Sequence, residues 1–329
     1  MTNPFVFIVG CPRSGTTLLQ RMVDAHRQIA IIPEIGWIAQ FYESRQGLTP
    51  EGLVTPAFVS FLIQRGGFGR YARLPISRQE LEDLISSCDP ISYAALLTLV
   101  FDRHGRNGGK SLVGSKTVDH VCNIRTLHRL WPLAKFVHLI RDGRDVCLSA
   151  LNWRKADKLA ERFATWREDP VSTAALWWEW SVRLGREDGN ALGADLYFEI
   201  RYEALVAHPE EECAALCDFL GVAYDDAMLT FHKNRAKTEE GLDAKHAWLP
   251  PTPGLRDWRS QMPRDDLERF EATAGSLLDE LGFPRGADRL RARSLEHAAT
   301  IRSQFEGRPL PQHWETVREP ECANVAVSD

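Results

Sequence analysis

Gly10-Cys11-Pro12-Arg13-Ser14-Gly15-Thr16-Thr17 follows the apolar run Phe5-Val6-Phe7-Ile8-Val9 and opens into a helical pattern beginning at Leu18-Leu19. A strand that turns sharply into a helix leaves the first-turn N–H groups without intrahelical partners. Those donors, together with the positive end of the helix dipole, form an anion site. Gly10 and Gly15 stand at the spacing of a phosphate-binding loop, G-x-x-x-x-G-K-[ST], but Thr16 occupies the lysine position. In a nucleoside-triphosphatase that lysine reaches the β/γ-phosphates. Here the cation within the loop is Arg13, whose guanidinium can fork onto two oxygens of a phosphate or sulfate. Thr16 and Thr17 add hydroxyls. The loop is therefore expected to bind an anion without the equipment for polarising a triphosphate.

Around this loop, apolar runs alternate with helical segments. Candidate strands are Phe5–Val9, Ile29–Ile32, Ser111–Gly114, Phe136–Ile140 and Leu196–Ile200. Their nearly continuous apolar character is that of central parallel strands buried on both faces. Candidate helices include Gly15–His26, Arg78–Phe101, His120–Leu130, Arg144–Trp153, Val171–Arg186, Glu210–Leu220 and Arg264–Leu281. The alternation predicts an α/β protein, a three-layer P-loop-type fold whose central parallel sheet is flanked by helices. One domain is expected over residues 1–305, with a helical insertion at 41–101, a lid loop at 231–263 and a poorly packed tail at 306–329. Trp177, Trp178 and Trp180 on one helix read as a core helix rather than a stacking platform for substrate.

The 329 residues carry a net charge of −5 with no long basic run, which argues against a nucleic-acid partner. The N-terminus lacks a signal-type block, and no apolar run approaches the roughly 18 residues a membrane helix needs. Seven scattered cysteines fit a reducing compartment. The expected location is cytoplasmic, without integral membrane contact. Cys213 and Cys217 read as small core residues rather than metal ligands.

A second constellation follows Phe136-Val137-His138-Leu139-Ile140. Arg141 leaves the carboxyl end of that strand, where open α/β sheets bind ligands, and Ser149 lies eight residues on in the next helix. A cation and a hydroxyl about two turns apart can bracket a second phosphate. Two anion sites on two strand ends fit a nucleotide with a 5′ anion and a separate 3′-phosphate.

Pro12–Thr17 (P-R-S-G-T-T) and Phe136–Ser149 (F-V-H-L-I-R-D-G-R-D-V…S) resemble the two donor-binding motifs of sulfotransferases, enzymes that use 3′-phosphoadenosine-5′-phosphosulfate (PAPS). Arg201–Pro209 (R-Y-E-A-L-V-A-H-P) and Cys217–Val222 are also similar to segments of that family, and the resemblance runs from about residue 4 to 285. It implies that Arg13, Ser14, Gly15, Thr16 and Thr17 hold the 5′-phosphosulfate. Arg141 and Ser149 would hold the 3′-phosphate, and Tyr202 would lie near the adenine. The similarity is closer to the tyrosylprotein and bacterial carbohydrate or small-molecule branches, which use a glutamate base; the matching residue is Glu34. Its other reading is an acid stabilising the start of the segment Ile35–Tyr42. Lys116 matches a lysine that assists the leaving group, with a strand-end surface lysine as its other reading. His120 keeps open the histidine base of the cytosolic steroid and phenol branch. Two departures are visible. Position 153 is Trp, next to Arg154, where some relatives carry a further basic residue, and the late donor loop reads Leu255-Arg256-Asp257-Trp258-Arg259, so that either Arg256 or Arg259 reaches the donor.

The resemblance implies in-line transfer to an acceptor hydroxyl on a carbohydrate, lipid-linked molecule or secondary metabolite, with no metal required. The expected partners are that acceptor and, as an open option, a second copy in a homodimer. A P-loop small-molecule kinase and a nucleotide-binding protein without catalysis are the competing readings.

Overall fold

The structure is a computed structural model and describes residues 5–32, 35–64, 76–87, 90–153, 156–233, 249–287 and 289–307. Glu34, Arg154, residues 234–248 of the expected lid and the tail from 308 lie outside the described residues. The chain begins with β1 (Val6–Val9), α1 (Thr16–Ala25) and β2 (Ile29–Ile32). Next come four helices, α2 (Ile38–Ser44), α3 (Pro56–Gln64), α4 (Arg78–Ser87) and α5 (Tyr93–Asn107). β3 (Leu112–Lys116) leads through a 3₁₀ turn, Val118–Cys122, and α6 (Ile124–Leu130) to β4 (Lys135–Ile140). There follow α7 (Gly143–Leu151), α8 (Asp157–Arg162), α9 (Pro170–Asn190), β5 (Tyr197–Arg201), α10 (Tyr202–Ala207), α11 (Pro209–Leu220) and α12 (Ala227–Thr230). The last helices are α13 (Trp258–Gln261), α14 (Arg264–Glu280) and α15 (Ala292–Glu306).

The five strands form one parallel sheet in the order β2-β3-β1-β4-β5. The chain runs from β1 to β2 and β3 on one side, then crosses to β4 and β5 on the other. That reversal opens a crevice beside the carboxyl end of β1, the usual ligand position of such sheets. Period-two alternation divides the interior. Phe5, Phe7 and Val9 face a cluster with residues of α2, α5 and α6, whereas Val6 and Ile8 pack with α1, α10 and α11. A third cluster gathers α7, α9, α14 and α15 around Trp177, Trp178 and Phe270. Trp177 and Trp178 are buried and Trp180 half-buried, as a core helix requires. Cys213 and Cys217 are likewise core residues.

Several predicted boundaries move for identifiable reasons. β3 continues to Lys116 because Gly114, Ser115 and Lys116 pair with Val6, Phe7 and Ile8, so that lysine ends a strand rather than sitting in a turn. The expected helix Arg78–Phe101 is two helices. Pro90 cannot occupy a helix interior, and Ser92 begins α5 by accepting the N–H of Ala95 at 3.2 Å. His120 belongs to the 3₁₀ turn, and α6 starts only at Ile124. α15 was not among the predicted helices; Ser294, Ala298, Ile301 and Phe305 form its buried face.

Candidate active site at the carboxyl edge of the sheet

The turn after β1 brings backbone donors to the crevice. Gly15 caps α1 in the left-handed conformation (φ 99°), and a Cβ there would lie 2.6 Å from the Tyr202 ring. Gly10 passes so close to β4 that a Cβ would sit 2.6 Å from the Leu139 carbonyl oxygen. These two contacts explain why the loop is spaced by glycines and lies flat against β4 and α10. Arg13 also has positive φ, 75°. Its Nε donates to Ser149 Oγ at 3.2 Å, and its guanidinium lies 5.6 Å from the Trp153 ring. The residue read from the first motif and the hydroxyl read from the second are therefore direct neighbours, joined across the β1 and β4 strand ends. Ser14 and Thr16 are buried and Thr17 half-buried; among the described residues Ser14 Oγ has no hydrogen-bond partner.

Arg141, at the end of β4, is buried, and its guanidinium lies 4.1 Å from the Tyr202 ring. Its carbonyl accepts the Trp178 indole N–H at 3.1 Å. Arg141 Nη2 stands 3.4 Å from Asp145 Oδ2, and Nε has no partner among the described residues. Ser14 Oγ and Arg141 Nε are thus buried polar groups with unused capacity on adjacent strand ends. Orphans of this kind call for a ligand or water, and an anionic nucleotide fits both.

α7 is anchored beneath this site. Asp142 Oδ1 accepts the backbone N–H and Nε of Arg144, each at 3.0 Å, while Oδ2 accepts Arg144 Nη2 at 2.7 Å. The opposite side of that guanidinium donates to Glu271 at 2.7 Å. Asp142, the acid a kinase would direct at Mg²⁺, is committed to Arg144.

The late loop distinguishes its two arginines. Arg259 is 60% exposed in its side chain, lies 3.6 Å from Asp257 and rests on the Trp258 ring. Arg256 is half-buried and near enough to Arg141 and Asp145 for their charges to be felt, with burial and Arg141 lowering its pKa. Of the pair, Arg256 is the one whose charge interacts with that of Arg141.

On the other side of β1, Lys116 is only 2% exposed, at the end of β3 opposite Ile8. The backbone N–H of Ile35, next in sequence to Glu34, donates to Thr117 Oγ1 at 3.0 Å. Ile35 is thereby tied to Thr117, the residue after Lys116. His120 is buried edge-on against Phe7, with Nε2 3.2 Å from Ser115 Oγ. Burial, assisted by Lys116, pushes its pKa down to about 3. It is a neutral core histidine, poorly suited to meeting an acceptor.

Sequence reasoning assigned no part to Asp145. Its signal was the i,i+4 spacing from Arg141 at a helix start. In the sequence Trp258 stands out only as a neighbour of Arg256 and Arg259.

Residues 4–226 match the model of the sulfotransferase family, and the chain belongs to that family, whose donor is PAPS. It is 26% identical to the protein-tyrosine sulfotransferase of Drosophila melanogaster over 85% of its own length and 52% of that protein's. It is also 26% identical to protein-tyrosine sulfotransferase A of Caenorhabditis elegans, over 87% of this chain and 69% of that one. The chain therefore spans about half the length of the fly relative. Among solved structures, the sulfotransferase domain from the curacin biosynthetic pathway superposes with a TM-score of 0.50 at 18% identity, covering 91% of this chain and 98% of that domain. That likeness is one of fold. Among the described residues no helix is long and apolar enough to cross a membrane.

Proposed function

We propose that this protein transfers the sulfuryl group of PAPS to an acceptor hydroxyl on a carbohydrate, lipid-linked molecule or secondary metabolite. The observation that carries the reading is the pairing of two lysine-free anion sites on neighbouring strand ends: the Gly10–Thr17 loop and the buried Arg141, joined through the Arg13–Ser149 hydrogen bond.

In this reading the loop donors of Arg13 to Thr17 hold the 5′-phosphosulfate. Arg141, Ser149 and Arg256 receive the 3′-phosphate, and Tyr202, stacked on Arg141 and against Gly15, borders the adenine. Arg259 is left on the surface with Asp257. The acceptor oxygen attacks sulfur in line. The bond between sulfur and the bridging oxygen breaks, 3′-phosphoadenosine-5′-phosphate (PAP) departs with that electron pair, and the acceptor proton passes to the Glu34 carboxylate. Lys116 and Arg13 offset charge gathering on the bridging oxygen. Positioning and fixed charge supply most of the acceleration, as in phosphoryl transfer. A positioned base adds about 10²–10⁴-fold. Arg13, Lys116, Arg141 and Arg256 provide the positive charge that a divalent metal provides in a kinase.

The test is PAP release and sulfated-product mass measured with PAPS against a panel of hydroxyl acceptors. Glu34→Gln and Lys116→Ala are compared with the unaltered protein. The reading expects acceptor-dependent turnover that falls at least about 10²-fold in Glu34→Gln. Turnover in both variants equal to that of the unaltered protein would refute these catalytic assignments, and transfer from ATP–Mg²⁺ instead of PAPS would refute the activity.

A further inference from the structure

One carboxylate fastens the segment carrying Arg256 to the start of α7. Asp145 Oδ1 accepts the backbone N–H of Trp258 at 2.9 Å, and Oδ2 lies 3.4 Å from Arg141 Nη2. The Trp258 indole is fixed on its other sides. The Arg144 guanidinium lies 3.5 Å and that of Arg259 4.6 Å from its ring, and a Cβ on Gly286 would come within 2.4 Å of it. With Trp258 held in this way, Arg256, two residues earlier, is kept within electrostatic reach of Arg141.

The groups facing Asp145 define a charge problem. Asp145 lies 3.4 Å from Arg141, and the charges of both reach Arg256. Asp142 and Glu203 are acids nearby, but Asp142 is neutralised by Arg144, and one Glu203 oxygen accepts the Asp142 N–H at 2.9 Å. Tyr202 covers Arg141. A phosphate arriving at Arg141 replaces the work of the Asp145 carboxylate and is repelled by it.

We propose that Asp145 is a positioning residue for the donor's 3′-phosphate: it clasps the Arg256 segment against Arg141 in the ligand-free protein and yields Arg141 to the phosphate, taking up a proton as it does so. This rests on the sulfotransferase reading. Burial, with Asp142 and Glu203 acting in the same direction, already pushes the Asp145 carboxyl up to about 6 against the pull of Arg141 and the Trp258 N–H. An anion placed beside it raises that value further. A group whose pKa is higher in the complex favours binding at low pH, and that advantage fades as pH rises above the ligand-free pKa.

Calorimetry with PAP and with AMP, at pH 6, 7 and 8, compares the full chain with Asp145→Asn and Asp145→Ala. Asn keeps an acceptor for the Trp258 N–H but carries no charge; Ala loses both. For PAP, Asp145→Asn should gain affinity over the unaltered protein, and the ratio should widen with pH by at most about tenfold per unit. For AMP the ratio should stay flat, and Asp145→Ala should bind PAP more weakly than Asp145→Asn throughout. Parallel pH profiles for the unaltered protein and Asp145→Asn would overturn the inference. If the variants fail to fold, titrating PAP into the unaltered protein in two buffers of different ionisation enthalpy still decides it. At about pH 7.5 the phosphates of PAP are almost fully ionised and have few protons to release, so net uptake there supports the inference and its absence overturns it. An unaltered protein that binds AMP no less tightly than PAP would sink the sulfotransferase reading itself, a different outcome from either of these.

Discussion

Gly15 answers to two constraints at once, a left-handed backbone and the Tyr202 ring 2.6 Å from where its Cβ would stand. Gly15→Ala should therefore cost roughly 1–3 kcal/mol from the backbone alone, with displacement of Tyr202 in addition. Urea unfolding measures it, and an unchanged midpoint would contradict this account of the loop. At this scale the sequence was informative where chemistry is local. Gly10, Gly15, Arg13 and Arg141 were legible because spacing after a strand dictates where they stand. The bond from Arg13 to Ser149 was not, since it joins residues brought together by the order of β1 and β4 in the sheet. Nor was the difference in setting between half-buried Arg256 and exposed Arg259, which depends on how Trp258 is gripped by Arg144 and Asp145.

Among the elements, α7 couples site to scaffold. Arg144 at its first turn is fully buried, bonded to Asp142 on one side and to Glu271 of α14 on the other. Glu271 also accepts the backbone N–H groups of Gly286 and Ala287, at 2.7 and 3.1 Å. Removing the guanidinium leaves two carboxylates buried without their cation. Arg144→Ala should destabilise the fold by about 3–5 kcal/mol, read as a lowered denaturation midpoint. A loss below about 1 kcal/mol would mean that the network is not closed in solution. The strands were readable to within a residue or two because they are short and, except for the half-buried edge strand β5, buried on both faces. Helix ends were less so. Pro90 and Ser92 split one predicted helix, and α15 has too modest an apolar face to stand out before α14 and α9 are there to cover it.

For the molecule as a whole, acid is the expected weakness. Burial lowers the pKa of His120 to about 3 and that of His138 to about 4, where Nδ1 lies 2.6 Å from the Tyr197 hydroxyl. Both are neutral in the folded state, while an unfolded histidine titrates near 6.5. Below about 6.5 the unfolded state binds more protons, so stability should fall as pH drops from 6.5 towards 4, with a slope on the order of 1.4 kcal/mol per pH unit for each histidine. Asp145 acts in the opposite sense. Its folded value near 6 exceeds the unfolded one, so its own contribution falls as pH rises from about 4 to 6 and offsets part of the histidine slope. Urea unfolding across that range, with His138→Gln as reference, should show a shallower slope in the variant; identical slopes would contradict neutral burial. The α/β class and parallel sheet were legible from the alternation of apolar runs. The acceptor was not, because a hydroxyl-binding surface is assembled from distant segments and leaves no fixed spacing in the chain.

The central claim is that the two strand ends together recognise a nucleotide bearing a 3′-phosphate. Binding calorimetry of the full chain with PAP, AMP and ATP–Mg²⁺, repeated with Arg141→Ala, addresses it most directly. The account predicts that PAP binds tightest and that Arg141→Ala reduces PAP affinity about 10²-fold, roughly two charge-assisted hydrogen bonds, while AMP changes little. Tightest binding of ATP–Mg²⁺, or an equal loss for PAP and AMP in the variant, would contradict it.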